Sequence, residues 1–344
     1  MISQVFLASL AVLLLNTIPS TNAAEAYPPL PTWKCTKSGG CVKQNTSIVL
    51  DQDSKFASGA PGSRTAADYT AMGVSTSGNA LTLYHYVKSN SSGLNSARPR
   101  VYLLGPDGKY VLMNLLNQEF SVDVEASTLP CGENGALYFS EMAADGSGGS
   151  GGSVAGAGKG YCDAQCQGFC CAEMDILEMN SVATVMTGHP CKGDTCDKAG
   201  CGYNPYASGQ RNFWGPAGNK TVDTSKPFTV ITQFIANGTK LSQITRKYVQ
   251  NGRQIENGGT ISSCGNEATT GGMTGMGESL GRGMVLAMSI WNDAAQNMAW
   301  LDSGINGPCV SGQGTPSNIE SQYPDTHVVF SNIRWGDIGS TTRA

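Results

Sequence analysis

Several stretches of this chain alternate apolar and polar residues with a period of two, and this restricts the fold more than any other feature. Phe120-Ser-Val-Asp-Val-Glu125, Phe228 to Phe234, Met284 to Trp291 and Thr326 to Ile333 each send one set of side chains to one face of an extended strand and the rest to the other. Clusters of Gly, Asn, Ser and Pro separate them, as turns between strands require. The composition agrees. Gly accounts for 44 of 344 residues and charged residues for only 14%, against roughly 25% in an ordinary soluble domain. Gly is costly inside helices and there are few Glu/Lys faces, so helices should be few and short. The expected architecture is all-β: a long antiparallel sandwich of two sheets. The balance of 22 basic and 26 acidic residues leaves a net charge of −4, with no basic excess to neutralise phosphates, so a nucleic-acid partner is not expected.

Residues 1–23 read as a secretory signal peptide. The run Val5–Leu15 is almost wholly apolar, and Thr21-Asn22-Ala23 ends in a small residue. That run is well short of the ~20 residues of a membrane span, so no membrane association is expected and the mature protein, residues 24–344, is placed outside the cell. Twelve Cys, an even number behind an export signal, favour disulfides. Zinc competes because Cys162, Cys166, Cys170 and Cys171, and then Cys191, Cys196 and Cys201, are clustered. These clusters lack paired CxxC knuckles, and only His189 lies near them. Sequons at Asn45, Asn90, Asn219 and Asn237 fit an exported glycoprotein. The Gly-rich stretch from Asp145 to Gly160 resembles a linker, yet cysteines and strands continue on both sides, so it reads as a flexible loop within one domain. The sequence runs to Ala344 with no Ser/Thr/Pro-rich linker or extra Cys-rich module, so a single domain over residues 24–344 is expected.

The chemical centre is Cys170-Cys171-Ala172-Glu173-Met174-Asp175-Ile176-Leu177-Glu178-Met179-Asn180. Three carboxylates on an otherwise apolar strand are expensive to bury without a purpose. Glu173 and Asp175, two apart, share a face. Glu178, five from Glu173, falls on the other face of a regular strand, and a β-bulge between Asp175 and Glu178 restores it. Four effective strand steps then span about 13 Å between the two Glu α-carbons. Side chains leaning together close this to the ~5–5.5 Å used by retaining glycosidases. Such chemistry needs one ionised nucleophile and one protonated acid. The plainer readings are a solvated acidic face or a calcium site.

The flanks of this motif extend the reading. With Cys35-Thr-Lys-Ser-Gly-Gly-Cys41, Leu129-Pro-Cys-Gly-Glu-Asn-Gly-Ala-Leu-Tyr138, Gly160-Tyr-Cys-Asp-Ala-Gln-Cys166, Gly202-Tyr-Asn-Pro-Tyr206 and Phe330 to Ser340, the chain resembles the fungal cellulases of glycoside hydrolase family 7, endoglucanases in particular. The resemblance covers nearly the whole mature chain. It implies a β-jelly-roll with a long open cleft for cellulose or a related β-1,4-glucan. It implies Glu173 as nucleophile, Asp175 as its partner and Glu178 as general acid/base, with net retention through a covalent glycosyl-enzyme intermediate. His189 matches the family's cleft histidine, although Gly188 stands where Pro is usual. Trp291 and Trp300 match sugar-stacking tryptophans, although an odd spacing of nine places them on one cleft only with help from the fold. Asn134, Tyr138, Asp163, Gln165 and Arg100 match residues lining glucosyl sites on the nucleophile side. The family's pairing joins Cys35 to Cys41, Cys131 to Cys309, Cys162 to Cys171, Cys166 to Cys170, Cys191 to Cys196 and Cys201 to Cys264. Neither metal nor other cofactor is implied, and a monomer is expected.

Two regions are shorter than in the family. Asp51 to Asp68 has no Cys and a single aromatic residue, Phe56, where the family has a longer segment with a tryptophan platform at the far end of the cleft. Only Gln167-Gly-Phe169 links Cys166 to Cys170 in place of a long loop. Short loops leave a cleft open in its middle, which favours endo attack, and Leu177, where many members have Trp, agrees with the endoglucanase branch. A cellobiohydrolase and a non-catalytic carbohydrate-binding jelly-roll derived from such an enzyme are the alternatives. The intact acidic triplet speaks against the second.

Overall fold

In the computed structural model, which describes residues 24–89, 93–148 and 154–342, two large sheets pack face to face. The first has eight strands in the order Cys201–Tyr203, Thr184–His189, Glu173–Met179, Glu133–Ser140, Met284–Asn292, Arg100–Leu104 and Ser47–Leu50, with Leu112–Met113 attached to the fifth. The second has ten, running through Gly40–Gln44, Thr32–Thr36, His327–Asp337, Gln118–Glu125, Phe228–Asn237, Lys240–Gln250 and Arg253–Ile255, with three short strands beside this path. Nearly all pairings are antiparallel. The strand Trp33–Cys35 is an exception, running parallel to Arg334–Gly336. The longest helix, Gly272–Arg282, has 11 residues, and among the described residues no helix is long and apolar enough to cross a membrane. This is the two-sheet sandwich expected from the alternation, in the jelly-roll form that the family resemblance implies, and strands from both sides of the Gly-rich stretch enter both sheets.

Alternate residues of the same strand serve two different layers. Leu137, Phe139, Leu286, Met288 and Ile290 point between the sheets, where they join Phe120, Val122, Phe234, Ile244 and Phe330. Ala136, Tyr138, Val285 and Ala287 point the other way into a second cluster with Tyr102, Tyr110 and Val49. Met284–Asn292 is therefore buried along nearly its whole length, where its pattern predicts a strand with one solvated face. Its outer face is the floor of a cleft, and walls built from loops cover it. The Gly-rich stretch also differs from expectation where it is described. Ala155 and Ala157 are buried, the Gly158 carbonyl accepts the Gln52 N–H at 3.0 Å, and Tyr27 donates to the Gly156 carbonyl, so this part is packed against the body of the protein.

All twelve cysteines pair, in the six combinations implied by the family resemblance. The sequon residues Asn45, Asn219 and Asn237 are exposed. Asn90 and the predicted signal segment 1–23 lie outside the described residues.

Candidate active site

The acidic strand Glu173–Met179 runs between Glu133–Ser140 and Thr184–His189. Its register shifts on both sides at one place. Against the first neighbour the pairing jumps from Leu137 opposite Leu177 to Tyr138 opposite Asp175, and against the second it jumps from Asp175 to Glu178. Ile176 is the extra residue. The bulge lies where the odd spacing of the carboxylates requires it, and its effect is to send Met174, Ile176 and Leu177 into the core while Glu173, Asp175 and Glu178 all face one cleft of about 980 Å³.

Each acid has a different neighbour. Glu173 accepts the backbone N–H of Ala164 at 3.1 Å. Asp175 meets His189 Nε2 at 3.1 Å, and His189 Nδ1 lies 2.8 Å from the Asp197 carbonyl, so both ring nitrogens are engaged as donors in the protonated ring. A Cβ on Gly200, which has φ of +71°, would sit 2.5 Å from His189 Cε1, so only glycine lets this turn close against the ring. Glu178 accepts from Asn134 Nδ2 at 2.9 Å. The oxygen of the same amide accepts the Met179 N–H at 3.1 Å, which fixes the amide's orientation.

The titration behaviour follows from burial and crowding. Burial, reinforced by the negative charge of Asp175, pushes the Glu173 carboxyl well above the usual carboxylate range, while His189 and the Ala164 N–H oppose this. Glu178 is pushed up to about 8, first by burial and then by Asp175, against the pull of the Asn134 hydrogen bond and of His189. For His189, burial disfavours the charged ring. The hydrogen bond and charge of Asp175, then Glu173 and the Asp197 carbonyl, outweigh it and raise the pKa to about 10. Glu173, Glu178 and His189 thus titrate as interacting neighbours and not as independent groups. Asn134 gives a direct test. Its N–H stabilises the ionised form of Glu178, so Asn134→Ala is expected to raise the Glu178 pKa further. A group that works protonated then stays active to higher pH, and the alkaline limb of the kcat/KM profile is expected to move upward. A downward shift in a pH-rate series would contradict this assignment.

The remaining candidates line or back the cleft. Trp291 on the floor strand and Trp300 on the helix Ala299–Asp302 converge with ring centroids 6.3 Å apart at 31°, so a helix placed after the strand removes the difficulty of their odd spacing. Tyr138 lines the cleft and its hydroxyl lies 3.2 Å from that of Tyr161. Arg100 stacks on the Tyr161 ring, 3.5 Å from its centroid, and is held by Asp51 Oδ2 at 2.9 Å, which also accepts the Tyr102 hydroxyl. Asp163 accepts the Gln167 N–H at 2.8 Å. Gln165 donates to the Lys198 carbonyl at 2.8 Å, and Lys198 Nζ donates back to the Gln165 carbonyl, a clasp between two cleft-edge loops. Asn134 is fully buried and stands behind Glu178. At the end shortened between Asp51 and Asp68 the lining is Asp53, Ser54 and Lys55, polar where the family has an aromatic platform.

Ala164 has no side-chain signal because it acts through its N–H, and Tyr161 and Asp51 matter through partners distant in sequence. The clusters of metal-capable atoms among the described residues, Cys166/Cys170/Cys196 and Cys131/Asp302/Cys309, use sulfurs already committed to disulfides, so they offer no thiolate to an ion.

A jelly-roll whose cleft is lined by three differently partnered carboxyls and two neighbouring tryptophans has the make-up of a glycoside hydrolase. The family model for Glycosyl hydrolase family 7 matches residues 63–168 and 167–342, its two segments meeting at the short Cys166–Cys170 turn. The chain belongs to glycosyl hydrolase family 7. It is 50% identical to Endoglucanase EG-1 of Hypocrea jecorina, over 95% of this chain and 81% of the relative. It is 48% identical to the probable endo-beta-1,4-glucanase celB of Aspergillus clavatus, over 97% and 96%. These alignments run over 374 and 408 positions against the 344 residues of this chain, so both relatives carry residues it lacks. Among solved structures, an endoglucanase I complexed with cellobiose superposes with a TM-score of 0.82 at 37% identity, covering 93% of this chain and 99% of that one. A family 7 cellobiohydrolase from Daphnia pulex gives 0.83 at 30% identity, covering 94% and 99%.

Proposed function

We propose that this chain is a secreted endo-β-1,4-glucanase that cuts internal bonds of cellulose or a related glucan with retention of configuration. The observation that carries the reading is the bulge at Ile176, which aims Glu173, Asp175 and Glu178 into one cleft. Glu173 acts as nucleophile in its ionised form, which the Ala164 N–H and the His189 imidazolium favour against the burial and the Asp175 charge that oppose it. Its carboxylate attacks the anomeric carbon while Glu178 gives its proton to the departing glycosidic oxygen, leaving a glycosyl ester on Glu173. Glu178, now ionised, takes a proton from water, the resulting hydroxide displaces Glu173, and the β-configuration is restored. Asp175 holds the His189 ring, whose positive charge favours the ionised nucleophile. Trp291 and Trp300 offer flat apolar surfaces to sugar faces, and Arg100, Tyr138, Asp163 and Gln165 supply polar contacts on the nucleophile side. Both groups that transfer protons or bonds are side chains, so the scheme needs no cofactor. The protein acts alone as a monomer after loss of residues 1–23.

The polar end at Asp53–Lys55 holds a distal sugar less firmly than a stacked ring does, and this favours attack within chains over processive release from an end. The test is hydrolysis of carboxymethyl-cellulose, followed by viscosity and reducing ends together, with proton NMR of the first product from a cello-oligosaccharide. Rapid viscosity loss per bond cut and an initial β-anomer are expected. An initial α-anomer overturns the retaining scheme. A folded protein that binds cello-oligosaccharides without turnover leaves the carbohydrate-binding reading instead.

A further inference from the structure

Arg246 lies on the strand Lys240–Gln250 of the ten-stranded sheet, and its side chain is fully buried between the sheets. Its Nε donates to Thr232 Oγ1 at 3.1 Å and its Nη1 to the Tyr248 hydroxyl at 3.3 Å. Its Nη2 crosses the sandwich and donates to the carbonyl of Ile176, the extra residue of the bulge. Among the described residues it forms no ion pair with a carboxylate. A permanent charge placed in an apolar core with only neutral partners is unfavourable relative to an apolar side chain of the same size, and the fold makes room for it. A Cβ on Gly258 would lie 2.7 Å from Arg246 Cγ and 2.5 Å from its carbonyl oxygen.

The contact meets a specific need. At a bulge the extra peptide leaves the ladder, so its carbonyl requires another donor when it is buried. Facing sheets stand roughly 10 Å apart, and a long side chain rooted in the opposite sheet spans that gap. We infer that Arg246 is a positioning residue for catalysis: it holds the Ile176 carbonyl inward and so keeps the bulge that turns Glu178 to the same face as Glu173 and Asp175. Without that donor, the direct way to pair the Ile176 carbonyl is to return it to the ladder, and a one-residue slip turns every following side chain to the opposite face. Glu178 then points at the core.

This inference rests on Glu173 and Glu178 being the reacting pair, and the experiment separates the two ideas. Arg246→Met, Arg246→Lys and Glu173→Gln are compared with the native chain on a cello-oligosaccharide, at least 15 °C below each melting temperature. For Arg246→Met the expected result is a fall in kcat of about 30-fold or more, KM within about threefold of native, and an alkaline limb displaced by at least half a pH unit. Arg246→Lys restores a donor and recovers part of the loss. A cooperatively melting Arg246→Met with kcat within threefold of native overturns the inference, as does a loss shared equally by kcat and KM with an unmoved pH limb. If Arg246→Met does not fold, Arg246→Gln, whose side chain is too short to reach the Ile176 carbonyl, is read by the same split. Full activity in Glu173→Gln instead removes the proposed catalytic pair itself.

Discussion

Replacing Glu173 with Gln is expected to lower kcat on soluble β-1,4-glucan by at least about 10⁴-fold while folding and oligosaccharide binding persist. The reason is local. Gln keeps the size of the side chain and an oxygen to accept the Ala164 N–H, which lies 3.1 Å away in the native site, but it cannot form the glycosyl ester. Because the native carboxyl is destabilised in its charged form by burial and by Asp175, removing that charge relieves the site. The variant should therefore bind cello-oligosaccharides at least as well as the native protein. Initial rates and tryptophan fluorescence, to which Trp291 and Trp300 contribute two of five indoles, check the two halves. Azide with Glu173→Ala on an activated glucoside should give an α-glycosyl azide, the product of attack from the emptied side. Residual activity above about 1% in a contamination-free preparation would sink the nucleophile assignment.

Glu178→Gln is expected to do two opposite things. Loss of the proton donor costs about 10²–10⁴-fold in kcat on unactivated substrates, and much less on glycosides with good leaving groups, which depart without protonation. Stability should rise. An acid whose folded pKa is raised from an ordinary 4.5 to about 8 contributes stability that is present below the ordinary value and lost as pH climbs towards 8. Gln carries no such penalty, so the variant gains little at pH 4 and most near pH 8. A tenfold difference in proton affinity between the folded and unfolded chain corresponds to about 1.4 kcal/mol, and solvent in the open cleft reduces the total. A Tm difference of several degrees at pH 8 that vanishes at pH 4, measured by calorimetry, is the expected signature. A difference independent of pH would show that Glu178 is not held under such a load.

Much of this was legible in the residues themselves. Phe120 to Glu125 alternates cleanly, Phe228 to Phe234 and Thr326 to Ile333 do so with a break at Val230-Ile231 and Val328-Val329, and all but Thr326 fall within strands of the ten-stranded sheet. The odd spacing of Glu178 from Glu173 demanded a bulge at the place where one occurs. Other features were hidden because they depend on what arrives from far along the chain. Nothing within Met284–Asn292 says that its outer face will be walled in by loops. Nothing near Trp300 says that a single helical turn will swing it towards Trp291. Asn134 matched a sugar-contact position, yet its amide is occupied by Glu178 and Met179, a relation between strands 44 and 45 residues apart that no local pattern encodes. Arg246 lies 70 residues from the carbonyl it holds, in a strand whose own alternation marks that position simply as inward.

Four of the six disulfides crowd around the acidic strand and its neighbour. Cys162–Cys171 and Cys166–Cys170 immediately precede Glu173, Cys191–Cys196 follows His189, and Cys201–Cys264 lies under Gly188, whose Cβ would meet Cys201 Sγ at 3.3 Å. Competence is therefore expected to depend on oxidation. A nascent chain with free thiols can collapse its apolar layers, but the segments that present the nucleophile and the imidazolium are not yet tied in place. Hydrolytic power is therefore expected to arrive only with thiol oxidation, and a copy kept reduced should leave any glucan it meets largely uncut.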